Sequence, residues 1–257
     1  MEAKKRAVFF LAIIAILAAV MSISLFLEHS GEAADISALR IGVGEGFPGL
    51  LMGDVAKTAI TNGTDIDLHV FVDCCASSAQ WAMGCGDLDV GFFCTSIAKT
   101  LVNFNSDLEI YGPAIMNSEV MALAGGVDRP SAIAVPQKRS HLSDLICDTY
   151  PSVSDILQAS PVVLYNTLLD CQADGAVMDI AQAMKVHDLV FAPLSGEDYV
   201  SYCLVVRKDI VGTQGFEGFI NAYNLIADDY NDPAYLENRY GMSELFWKTI
   251  NVKFLYL

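Results

Sequence analysis

Apolar and polar residues alternate in blocks along residues 38–116, and each apolar run is followed by a segment with helical spacing. Short apolar runs bounded by glycine or polar residues are typical of buried strands, and apolar positions three and four apart indicate amphipathic helices. Because the two kinds of segment alternate, we expect a mostly parallel sheet flanked by helices. The predicted strands are 38–43, 67–73, 88–94 and 108–115, and the predicted helices are 50–62, 77–84 and 96–104.

A second block with the same alternation starts at about residue 117. Its predicted strands are 120–124, 132–135, 176–179 and 189–192, and its predicted helices are 141–148, 153–159, 162–171 and 180–186. A long strand at 199–207 then returns the chain to the first block, and two amphipathic helices, 216–229 and 233–240, follow it. We therefore predict an α/β protein of two lobes, one made of 38–116 plus 200–257 and the other of 117–199.

Two lobes joined by two crossings form a cleft that can close on a ligand by hinge motion. In open α/β sheets, ligands lie beyond the carboxyl ends of the strands. Three such ends in the first lobe carry the glycine-rich segment 44–49, the vicinal pair Cys74 and Cys75, and Cys94. Sheets of this kind usually place the first strand between the second and the third, so we expect the three loops to meet at one site.

The thiols at these strand ends indicate a ligand with a soft metal centre, because thiolates prefer soft metals whereas carboxylates and hydroxyls prefer hard ones. A helix that starts at about Ser77 would favour a nearby thiolate through its unpaired N–H groups. The candidate ligand-binding residues of the first lobe are Cys74, Cys75, Cys94, Glu45, Thr95 and Ser96, and the three cysteines are the candidate metal ligands.

Two other interpretations of the cysteines stay open. They fit a role as small apolar core residues, which is where unpaired cysteine is most often found. In an exported chain they also fit a disulfide from the vicinal pair to Cys85 or Cys94, although seven cysteines cannot all pair within one chain. Cys147 and Cys171 are predicted to be structural, and Cys203 on the returning strand faces either the cleft or the core.

The second lobe offers three candidates for the opposite wall of the cleft: Asp179, which ends a predicted strand, and Tyr165 and Asn166. The four histidines are dispersed and form no hydrolytic zinc motif, and no nucleophile elbow is present, so we do not expect an enzyme. Segment 44–49 matches G-x-G-x-x-G, but Pro48 interrupts it and the chain is expected outside the cytoplasm. We therefore expect no dinucleotide and no other cofactor.

The N-terminal region, 1–37, is predicted to be a signal anchor and a linker. Lys4, Lys5 and Arg6 precede an uncharged apolar run at 7–27, which is long enough to span a bilayer and would place the rest of the chain outside the cytoplasm. The run exceeds the usual core of a cleaved signal peptide, so an anchored protein is favoured over a secreted one. No cysteine ends the run, so a lipid-modified cysteine is not expected.

The charge of the chain argues against nucleic acid and anionic membrane surfaces as partners. The formal net charge is −16, and the first six residues carry +2, which leaves −18 on the remainder. A surface with this excess of carboxylates repels phosphates.

Four segments of the chain resemble the periplasmic-binding-protein type II fold, in particular the solute-binding subunits of ABC importers for sulfonates and thiamine pyrimidines. They read RIGV at 40–43, AQWAMGCGDLDVGF at 79–92, DGAVMD at 174–179 and YCLVVR at 202–207. The resemblance spans roughly residues 38–240. It implies capture of a small ligand between two lobes and delivery of that ligand to a permease and its ATPase.

Segment 73–78, DCCASS, is similar to a narrower group: the substrate-binding proteins, some of them selenoproteins, of the selenocysteine-assisted organometal system. That resemblance implies import of organometallic compounds such as organomercurials, and this chain would be a cysteine-only member. The vicinal pair is the first candidate for the position of the selenocysteine.

We therefore expect an extracytoplasmic binding protein for a thiol-reactive ligand. Three alternatives remain: the same fold binding an ordinary sulfonate or pyrimidine, an extracytoplasmic thiol redox protein, and a sensor or structural binding module. The redox alternative lacks the C-x-x-C spacing that such proteins use.

Overall fold

The structure, a computed structural model, describes residues 38–72, 77–125, 127–137, 139, 141–186 and 188–257. The predicted anchor at 7–27, the linker that follows it, and the vicinal pair Cys74 and Cys75 lie outside the described residues. Among the described residues, no helix is both long and apolar enough to cross a lipid bilayer.

The first lobe is built on a six-stranded mixed sheet with the strand order β11-β4-β10-β3-β1-β2. Strand β1 runs parallel to both β2 and β3, whereas β10 runs antiparallel to β3 and β4. The strands are β1 (Leu39–Gly44), β2 (Ile66–Phe71), β3 (Val90–Phe93), β4 (Leu108–Met116), β10 (Val200–Arg207) and β11 (Lys253–Phe254). The expected position of the first strand between the second and the third is confirmed.

Helices cover this sheet on both faces, which explains why β3 is buried at every position. They are α1 (Phe47–Thr61), α2 (Ser77–Cys85), α3 (Thr95–Phe104), α7 (Gln214–Tyr230), α8 (Pro233–Tyr240) and α9 (Glu244–Ile250). Phe47 at the start of α1 is fully buried and packs against Trp247 of α9 with ring centroids 5.7 Å apart. This aromatic contact fixes the start of α1 against the C-terminal part of the chain.

The second lobe is built on a five-stranded mixed sheet with the order β7-β6-β8-β5-β9. Strand β6 runs parallel to β7 and β8, and β5 runs antiparallel to β8 and β9. The strands are β5 (Glu119–Leu123), β6 (Ala132–Pro136), β7 (Asp155–Ala159), β8 (Gly175–Asp179) and β9 (Val190–Pro193), and the helices are α4 (Leu142–Thr149), α5 (Leu164–Leu169) and α6 (Ile180–Ala183).

The predicted two-lobe α/β fold is confirmed, with two differences. Both sheets are mixed, because β10 and β5 run against their neighbours. The helix predicted at 153–159 is wrong: Asp155–Ala159 forms β7, which pairs with β6 in the register Ile133 to Ile156. Short 3₁₀ turns at Pro161–Val163 and Lys208–Ile210 complete the described elements.

The strand directions place one edge of each sheet towards the other lobe. Strands β1, β2 and β3 all end at one edge of the first sheet. The chain leaves the first lobe at this edge after Met116 and returns to the same edge at Val200. In the second lobe, Glu119 begins β5 directly opposite Asp179, the last residue of β8. The carboxyl ends of the parallel strands in both lobes therefore face the crossings. In such sheets, ligands bind beyond the carboxyl ends of the strands.

Candidate functional site

Cys94 stands at the carboxyl end of β3 and directly precedes α3. Its side chain is 1% exposed, and its Sγ lies 3.4 Å from Oγ of Ser96. The Thr95 hydroxyl donates a hydrogen bond to the carbonyl of Val200 (3.2 Å), so the start of α3 is fastened to the returning strand β10. Predicted residues Cys94, Thr95 and Ser96 thus form one short wall of the edge that faces the second lobe.

Cys203 lies next to this wall but belongs to the core, which is one of the two positions that the sequence left open. It pairs with Phe93 across the β3–β10 ladder, and its Sγ lies 3.9 Å from the Thr95 hydroxyl. It is nevertheless buried and packs in the same apolar cluster as Phe93. Cys203 is therefore a core residue close to Cys94, near the edge of the sheet that faces the second lobe.

Burial shifts the pKa values of two groups near this wall. It raises the pKa of Cys203, and the neighbouring Cys94 raises it further, whereas the hydrogen bond with Thr95 lowers it. Burial also lowers the pKa of His141, which precedes α4 in the second lobe; Cys94 acts in the opposite direction. The Cys94 thiol is therefore close enough to interact electrostatically with a side chain of the other lobe.

Glu45 is an exposed residue of the loop after β1. Its backbone N–H donates to the carbonyl of Phe71, the last residue of β2, at 3.0 Å. The start of the loop after β1 is therefore adjacent to the end of β2, and whether the loop after β2 meets it stays a prediction, because residues 73–76 lie outside the described part of the chain.

Asp179 reaches from the second lobe to the first. Its Oδ1 accepts one hydrogen bond from the N–H of Ala181 in its own lobe and one from the N–H of Phe47 at the start of α1, both at 2.8 Å. Its Oδ2 is shielded from solvent and has no hydrogen-bond partner among the described residues. Burial raises the pKa of Asp179 against the effect of the two N–H groups and of the charges of Arg139 and Lys185.

A buried ion pair at the crossings was not found by sequence reasoning. Arg139, three residues after β6, donates to one oxygen of Glu119 and to the hydroxyl of Tyr202 (2.8 Å) on β10. The other oxygen of Glu119 accepts from Ser201 (2.8 Å) and Tyr199 (3.0 Å). The network therefore links both crossings to the second lobe. The only sequence signal was a carboxylate at the start of a predicted buried strand.

Asn117 joins the two crossings beside this network. Its side chain donates to Asp198 (2.7 Å) and to the carbonyl of Asn251 (2.9 Å), and its Oδ1 accepts from the N–H of Tyr199 (3.1 Å). Its φ of 57° is left-handed, a conformation that asparagine tolerates better than most residues. A cavity of about 330 Å³ lined in part by these residues lies here, at the crossings, and not at the thiols.

The remaining candidates are not brought into one cluster. Tyr165 is partly buried against the core and Asn166 is exposed, both at the start of α5. Cys147 and Cys171 are exposed, so the prediction that they are structural is not supported by burial. Cys85 is exposed too, and no disulfide joins any two of the described cysteines. Among the described residues, no group of three or more His, Cys, Asp and Glu side chains is arranged to hold a metal ion.

No protein-family model matches the chain, and no curated protein matches its sequence. Solved structures do match. A nutrient-binding protein from Burkholderia cenocepacia bound to methionine is 16% identical over 79% of this chain and 97% of its own, with a TM-score of 0.56. The methionine-binding protein MetQ is 16% identical over 87% and 100%, with a TM-score of 0.61.

A putative methionine-binding lipoprotein from Bacillus subtilis is 10% identical over 86% of this chain and 98% of its own, with a TM-score of 0.62. At these identities the likeness concerns the fold. The chain has the two-lobe α/β fold of these binding proteins, and it spans nearly their whole length.

Proposed function

We propose that this protein is the extracytoplasmic solute-binding component of an ABC importer. The observation that carries the proposal is the two-lobe fold itself, which the chain shares over most of its length with proteins described as substrate-binding proteins. Two lobes joined by two crossings suit capture and release of a ligand by hinge motion, and no catalytic step is needed. Its partners would be a permease and an ATPase, and the segment 1–37 would anchor it to the membrane.

The proposed ligand is a small thiol-reactive organometal such as an organomercurial. Cys74, Cys75 and Cys94 would bind the metal, as the segment DCCASS and its resemblance imply. The position of Cys94 at the end of β3, directly before α3 and at the edge that faces the second lobe, supports this assignment. A soft metal centre would favour these thiols over the carboxylates of the same cleft.

The chemistry requires deprotonation, because the thiolate is the species that binds a metal. An ordinary cysteine thiol has a pKa of about 8.5 and therefore carries its proton at neutral pH. Binding of an organomercurial cation at the cysteines would therefore release protons, and its affinity would rise with pH. The remaining predicted residues, Glu45, Thr95, Ser96 and Asp179, would line the same cleft around the organic part of the ligand.

A second candidate is an ordinary organic solute. One structure with this fold is described as a methionine-binding protein, and another is described as a nutrient-binding protein bound to methionine. In that case Cys94 and Cys203 would be core residues only. A methionine-type solute thus joins the sulfonates and pyrimidines that the sequence left open.

A thermal-shift experiment on the full-length protein in detergent separates the two candidates. The probes are phenylmercury acetate, L-methionine, taurine and a thiamine pyrimidine, each tested before and after the thiols are blocked with N-ethylmaleimide. At a hundredfold excess over Kd, a ligand that binds only the native state stabilises it by about 2.7 kcal/mol, which is readily measured. We expect stabilisation by phenylmercury that blocking abolishes. Stabilisation by an organic solute that survives blocking would support the second candidate instead.

A further inference from the structure

Helix α1 begins without a capping side chain of its own, because its N-cap residue is Gly46. Pro48 has no N–H, and the N–H of Gly49 is already bonded to the carbonyl of Gly46 at 2.9 Å. The N–H of Phe47 is thus the donor in this first turn that needs an acceptor from elsewhere. The carboxylate of Asp179 supplies it from the second lobe at 2.8 Å.

The same carboxylate also caps α6 in its own lobe through the N–H of Ala181. Carboxylates are favoured at helix starts by the unpaired N–H groups and by the positive end of the helix dipole. One side chain therefore serves two helix starts, one in each lobe. Its contact with α1 exists only while the two lobes are together at this edge of the cleft.

The local packing is built around this contact. A Cβ added to Gly46 would lie 2.6 Å from Oδ2 and 2.9 Å from Cγ of Asp179. The backbone of Gly46 has φ −67°, which any residue adopts, so the conformation alone does not require glycine. The position requires glycine because the carboxylate of the other lobe occupies the space beside it.

We propose that Asp179 is an interlobe latch: its carboxylate is the N-cap of α1 in the first lobe and holds the cleft closed at this edge. The latch gives Asp179 a protein partner in addition to its proposed place on the wall of the cleft. It does not depend on which ligand the cleft binds. If the latch proposal fails, the proposed transport function is unaffected. If the proposed transport function fails, the latch proposal is unaffected.

The test is amide hydrogen exchange, resolved to single residues by mass spectrometry, on the full-length protein in detergent. Asp179→Ala removes the latch, and Gly46→Ala leaves Asp179 in place but puts a methyl group into its carboxylate. Gly44→Ala is the matched control, since an added Cβ there meets nothing within 4 Å. Loss of the side chain that caps a helix N-terminus corresponds to roughly a tenfold change in the opening of the first turn.

We expect the Phe47 amide to exchange at least about tenfold faster in Asp179→Ala and Gly46→Ala than in the wild type and Gly44→Ala. The amide of Val55, farther along α1, should exchange at the same rate in all four proteins. Spin labels at exposed Phe104 and Val162, one in each lobe, should also report a longer mean distance in the two latch variants. If either latch variant matches the wild type in Phe47 exchange and in label distance, the latch is overturned.

Discussion

The ion pair between Arg139 and Glu119 yields the sharpest stability prediction. The two side chains are 4% and 2% exposed, so neither charge is solvated by water when its partner is removed. Breaking a buried pair from one side costs about 3–5 kcal/mol, because an uncompensated charge stays buried. We therefore expect Arg139→Met and Glu119→Gln each to lower the free energy of unfolding by about that amount.

The double variant distinguishes pairing from general damage. Arg139→Met with Glu119→Gln removes both charges, and the amide oxygen introduced by the second substitution retains the donors Ser201 and Tyr199. We expect it to lose only about 1–3 kcal/mol, which makes it more stable than either single variant. Urea unfolding, followed by the fluorescence of buried Trp247, measures all four proteins. If the double variant loses as much unfolding free energy as the two single variants together, the two charges are not coupled and the assignment of an ion pair is refuted.

Two further predictions concern the first lobe. Burial raises the pKa of Asp89, but hydrogen bonds from Arg40 outweigh it and the net pKa lies below the ordinary value of 3.8. The ionised Asp89 therefore stabilises the folded protein above pH 3.8, and this stabilisation is lost as the pH falls through the folded-state pKa. Urea titrations between pH 5 and about pH 2 should show a steeper loss of unfolding free energy for the wild type than for Asp89→Asn. A Cβ at Gly218 in α7 would lie 2.0 Å from Oγ1 of Thr64, whereas one at Gly215 meets nothing within 4 Å. Gly215→Ala should stabilise the protein by about 0.4–1 kcal/mol, because alanine lowers the conformational entropy of the unfolded chain. Gly218→Ala should destabilise the protein, and equal effects of the two substitutions in thermal unfolding would contradict this account.

The sequence was sufficient for the parts of the fold that depend on periodicity. Strands such as β1 and β3 are buried on both faces, so they read as continuous apolar runs, and the parallel arrangement around β1 follows from the helices between them. The position of Cys94 at the end of β3 follows from the same pattern. Strand β7 was missed because it lies at the edge of its sheet and is only partly buried, so its apolar residues carry no strand signature.

The contacts between the lobes could not be predicted in the same way. The sequence placed Asp179 at a strand end and on the cleft, but its hydrogen bond to Phe47 joins residues 132 positions apart. The pair Glu119 and Arg139 likewise depends on the antiparallel position of β5 beside β8, which periodicity does not encode. The need for glycine at position 46 could not be predicted either, because the space beside Gly46 is filled by Asp179 from the other lobe.

The most direct test of the account is retention of one organomercurial per chain in competition with glutathione. The reduced full-length protein receives one equivalent of phenylmercury, then excess glutathione, and native mass spectrometry counts the metal that remains. Exposed single thiols should lose it, so a variant with Cys85, Cys147 and Cys171 changed to serine should match the wild type and retain one phenylmercury. The variant with Cys74, Cys75 and Cys94 changed to serine should retain none. Retention by that variant at the wild-type level would contradict the account.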